Sequence, residues 1–99
     1  MRYLTFDRSE GDDGVHTFEA MASTPAARQD EVMAEVRQVI GWARDQFGDT
    51  EGPVEDGMDW QHDLQLTNEP GGWASVTLTL GTSARFAEAF LARFGDAQD

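Results

Sequence analysis

The chain has no cysteine, no lysine and 3 prolines among its 99 residues. Without cysteine, disulfides, thiolate nucleophiles and thiolate-based zinc sites are excluded together. Without lysine, all 7 basic residues are arginines, set against 19 acids for a formal net charge of -12. Duplex or single-strand binding needs a basic patch that displaces counterions, so neither nucleic acid nor an anionic membrane surface is an expected partner. A basic protein is, because a field of this sign steers cationic surfaces inward; solubility alone is the plainer use of the same charge. Long apolar runs are missing as well. No stretch approaches the ~20 residues that span a bilayer, and Met1 to Asp7 carries charge and no leader-like run, so the cytoplasm is the expected compartment.

What is present suits one globular domain over residues 1–99. The apolar 39%, together with 10 glycines, makes about half the chain, close to the globular average. Arg2 to Arg8 alternates, with Leu4 and Phe6 on one side, and predicts a first strand. Ser9 to Gly14 is a turn cluster, and Val15 to Ala22 alternates again, completing a hairpin. Ser23-Thr24-Pro25 reads as a helix start. Val32, Val36, Val39, Ile40, Ala43 and Phe47 then form one apolar stripe of a helix from about Pro25 to Phe47, which Gly48 is placed to close in the left-handed conformation.

Residues 49–57 predict an exposed acidic loop. Met58, Trp60, His62, Leu64 and Leu66 form the inward row of a third strand, and after the turn Asn68 to Gly72 a fourth strand follows over Trp73 to Leu80. Thr82 or Ser83 caps a last helix carrying Phe86, Phe90 and Phe94, which ends at Gly95. The expectation is an α+β two-layer sandwich, ββαββα, with a four-stranded, mainly antiparallel sheet and both helices on one face. Its parts are a first ββα unit over 1–48, the acidic loop, and a second unit over 58–95. Strand order is open. The units share a pattern of turn, strand, hydroxyl cap and helix, closing on Phe47-Gly48-Asp49 and Phe94-Gly95-Asp96, which suggests an internal pseudo-repeat; helix-capping rules alone also produce such endings.

Few residues suggest chemistry. His16 and His62 share the inward rows, with Trp60 beside His62, and an inward pair suits a ligand cleft between sheet and helices. A packed, hydrogen-bonded histidine is the commoner outcome for such a position. Asp59, His62 and Asp63 look like metal ligands when written in a row, but on a strand His62 faces away from both acids. No calcium-loop spacing, phosphate-cradling glycine motif or nucleophile elbow occurs, and capping accounts for Ser83. No catalytic residue, metal or cofactor is therefore assigned, and an enzyme is the less favoured reading.

The acids Asp49, Glu51, Glu55, Asp56, Asp59 and Asp63 lie in a stretch, residues 45–63, that has no arginine. With the outward Trp73 they make a candidate surface for a basic partner, in the manner of an inhibitor or immunity protein. The alternatives are a small-molecule binder or small enzyme using the histidine cleft, and a homo-oligomer, in the simplest case a homodimer, formed through a sheet edge or the threonine-rich face.

Overall fold

The computed structural model describes residues 2–95. Met1 and Asp96, which the readings of the N-terminus and of the repeat included, lie outside the described residues. The chain forms β1 (Asp7–Glu10), β2 (His16–Pro25), α1 (Gln29–Phe47), β3 (Trp60–Glu69), β4 (Trp73–Thr82) and α2 (Ala84–Phe94). All strand pairs are antiparallel and the order is β1-β2-β4-β3, so the second strand of each unit meets the other at the centre. Both helices lie on one face, giving the expected α+β sandwich.

Alternation decides which side chains enter the core. Phe18, Ala20 and Ala22 of β2 and Val76, Leu78 and Leu80 of β4 are buried, and they meet Val32, Val36 and Val39 of α1 and Phe86, Phe90 and Phe94 of α2. Trp42 lies between the helices, its ring 5.5 Å from Phe86 and 5.4 Å from Phe94. Edge-on aromatic contacts of this kind add to what burial alone contributes.

Several element ends differ from expectation. β1 starts at Asp7 rather than Arg2. Leu4 and Phe6 still point into the core, but residues 2–6 leave the sheet, and the Arg2, Tyr3 and Leu4 amides donate to the Glu35 carboxylate on α1 at 2.9–3.1 Å. A side chain thus replaces the ladder that a longer β1 would have formed. β2 runs on through Ser23 and Thr24, so neither caps a helix; a 3-10 turn, Ala26–Arg28, leads into α1 with no side-chain cap. Gly48 is right-handed, with φ -61°, because the chain tightens into a second 3-10 turn, Gly48–Thr50, rather than reversing. Ser83 is the cap of α2, its hydroxyl accepting from the Phe86 amide at 3.2 Å.

The internal repeat stays a feature of the sequence. β1 has 4 residues where β3 has 10, and α1 has 19 where α2 has 11. Among the described residues, no helix is long and apolar enough to cross a membrane.

Candidate functional site

The two histidines are held apart. On the sheet, His16 of β2 is level with Thr82 of β4 and Trp60 of β3, while His62 lies two residues along β3, level with Leu80. β4 therefore runs between them. His16 is buried; its Nδ1 is 2.9 Å from Arg8 Nη2 and its Nε2 is 3.5 Å from Glu10 Oε1. A guanidinium only donates, so Nδ1 accepts and the ring proton sits on Nε2, facing Glu10. The Thr82 hydroxyl donates to the His16 carbonyl at 2.8 Å. His16 is thus a satisfied structural group where β1, β2 and β4 meet.

His62 is partly open to solvent and stacks on Trp60, with its Nδ1 3.5 Å from Glu51 Oε2. Glu51 also accepts from Arg44 Nε at 3.3 Å. Trp60 is fully buried and donates from Nε1 to the Phe47 carbonyl at 3.0 Å. The expected three-residue cleft therefore does not assemble. A cleft of about 410 Å³ does lie between α1 and β3, lined by Met33, Ile40, Gly41, His62 and Leu64, but His16 and Trp60 are not part of it.

Asp59 is withdrawn from the acidic surface to which its position in the sequence assigned it. It is buried just before β3, accepts from the Ser83 hydroxyl at 2.7 Å and pairs with the Arg85 guanidinium. Its backbone joins in: the Asp59 amide donates to the Thr50 carbonyl at 2.9 Å, and its carbonyl accepts from the Ser83 amide at 2.8 Å. The hydrogen bond from Arg85, aided by Ser83 and Thr50, holds the carboxyl down at about 2, against an ordinary 3.8. Asp59 thus ties the start of α2 to the loop before β3. Ser83 and His62 make no catalytic pair, since the serine is committed to Asp59 and to its cap.

The remaining acids separate into two groups. Asp49, Glu55 and Asp56 are exposed on the loop, and Glu51 is tied to Arg44 and His62. Asp63 is exposed on the open face of the sheet, the side away from the helices. Strand parity puts Asp7, Glu19 and Glu69 on that face with it, Asp7 being level with Glu19 and Glu19 with Thr79, which is level with Asp63. Trp73, 46% exposed, and Met21, 65% exposed, stand among them, separated by serine and threonine hydroxyls.

No arginine reaches the open face. Arg8 shares the inward parity of Phe18 and turns to His16; Arg2 lies against Glu31; Arg28, Arg37, Arg44, Arg85 and Arg93 belong to the helices or the turn before α1. The molecule thus keeps its cations on one side. The candidate partner surface read from the sequence left out Glu19, Asp7, Glu69 and Met21. Parity alone marks each as outward; that they share one face with Asp63 needed the strand order.

Comparison with known proteins adds no relative. No family model matches the chain, and no curated protein or solved structure matches it.

Proposed function

We propose that the domain is a small acidic interaction module that holds a basic protein against the open face of its sheet. The observation carrying this reading is the composition of that face: Asp7, Glu19, Asp63 and Glu69 with no arginine among them, around an exposed Trp73 and Met21. Unopposed carboxylates speed encounter with a cationic surface, and a half-exposed tryptophan is the kind of residue that anchors an interface. A flexible methionine adapts to different partner shapes. The histidine cleft supports an enzyme or small-ligand reading less well, because His16 and His62 sit on opposite sides of β4 and each already has polar partners.

The test is retention of a synthetic arginine-rich peptide at 50 and 500 mM salt, by wild type and by two paired variants. Exposed charge pairs contribute about 0.2–1 kcal/mol each, so Glu19→Gln with Asp63→Gln is expected to weaken low-salt binding roughly 2- to 30-fold. Glu55→Gln with Asp56→Gln, equal in charge but on the loop, leaves it nearly unchanged. No retention at low salt, or equal losses in both pairs, overturns the reading.

A further inference from the structure

The sheet's two edges are finished differently. On the β1 side only 4 residues pair with β2, and the preceding segment turns away to Glu35, which leaves a short, blunted edge. β3 is an edge strand of 10 residues with no proline, and its register with β4 runs unbroken from Trp60 to Glu69. Proteins normally protect such an edge with a bulge, a proline, a lysine or a covering segment. β3 has no proline and no lysine, its register shows no bulge, and the only covering contact among the described residues, from Glu51 and Gly52, is confined to Trp60.

The direction of its free polar groups follows from one hydrogen bond. The Trp60 carbonyl accepts from the Gly52 amide at 2.6 Å, so the backbone polar groups of Trp60 face away from β4. With a period of two, those of His62, Leu64, Leu66 and Asn68 face outward as well. The contact at Glu51 and Gly52 ends at Trp60. Beyond it, among the described residues, no backbone group pairs with this outer ladder. The side chains of the same residues point to the helix side. His62 and Leu64 form the floor of the cleft under α1, and Leu66, 54% exposed, continues the same row along β3.

A free backbone ladder beside an apolar groove is the geometry by which sheets take up an extended peptide. The surroundings define what that peptide looks like. Its alternate side chains fall on two faces, one over the groove beside Leu64 and Leu66, the other beside Asp63 and Glu69 on the open sheet face. The groove rim carries Arg37 and Arg44, which disfavour a cation on that side; the charged residues of the opposite face are all acids. The phase is therefore set: apolar inward, basic outward. A second copy of this chain fits less well, since it would bring two bodies of formal charge -12 together along a strand whose only charged residues are acids.

We infer that the outer edge of β3 takes up a strand of the partner, about seven residues long and alternating apolar with basic side chains, as a fifth strand of the sheet. This rests on the acidic-module reading and adds to it the form of the ligand.

The test uses the whole protein and two synthetic seven-residue peptides of equal composition, one alternating Val with Arg, the other carrying the same residues in two blocks. The alternating peptide is expected to bind at least tenfold tighter and to slow hydrogen exchange of the His62, Leu64, Leu66 and Asn68 amides at least tenfold. Leu66→Lys, at an exposed position that leaves the core intact, is expected to remove most of that preference. Equal binding of both peptides without protection of those amides overturns the edge inference and leaves the acidic face standing. If neither peptide binds at low salt, both readings fail. Protection of the same amides without peptide, together with a dimer in sedimentation, assigns the edge to a second copy and overturns the inference.

Discussion

Asp59 shows how one side chain can hold two distant parts of the chain. Its carboxyl is held near 2 by Arg85, Ser83 and Thr50, below the ordinary value of 3.8. A carboxyl depressed on folding contributes stability that is complete above its unfolded value and lost as pH falls through the folded one. The contribution of Asp59 is therefore expected to be full above about pH 4 and to disappear towards pH 2. Urea unfolding of wild type and Asp59→Asn between pH 2 and 7 checks this: the two curves should converge at the acid end, and a constant gap would refute the assignment. At this scale the sequence was only partly legible. Ser83 was readable as a cap from its position before an apolar helix. Asp59 was not readable as buried, because its partners arrive from the start of α2, and a linear run of acids looks the same whether or not one of them is pulled inward.

At the scale of elements, periodicity identified both helices and all four strands, because each buries one row or stripe against the others. Element ends were less legible where a non-local group competes for the backbone. Residues 2–6 alternate as a strand does, yet Glu35 takes the amides of Arg2, Tyr3 and Leu4, a contact across some thirty residues that no local pattern announces. Gly41 is a further local exception, a glycine inside α1 with open space where a Cβ would stand. Glycine in a helix interior is about 1 kcal/mol less favourable than alanine. Gly41→Ala is accordingly expected to stabilise the domain by about 1 kcal/mol in denaturant unfolding, and a loss of stability would mean that the cleft wall at this position is already tight.

For the whole molecule, parity told which face each residue occupies but not which strands are neighbours. Order β1-β2-β4-β3 follows from pairings between residues more than fifty positions apart, such as Ala20 with Leu78, and it is this order that leaves β3 on the outside and gathers Asp7, Glu19 and Asp63 on one surface. The acidic loop, by contrast, was readable as a stretch of sequence yet is less uniform in space, since Glu51 and Asp59 both turn to arginines.

The confinement of arginine to the helix side also governs how the molecule sits on a charged support. An anion-exchange matrix is expected to meet the sheet first, because no cation there opposes adsorption, leaving the helices to face the mobile phase. Retention then follows the few carboxylates in contact rather than the total charge. Glu19→Gln with Asp63→Gln should elute at lower salt than Glu55→Gln with Asp56→Gln, although the two proteins carry the same net charge; identical elution would show that adsorption has no preferred orientation. With no lysine in the chain, amine-coupling reagents find no side chain on the sheet, so a surface-tethered assay must place its attachment point on the helix side to keep that face free.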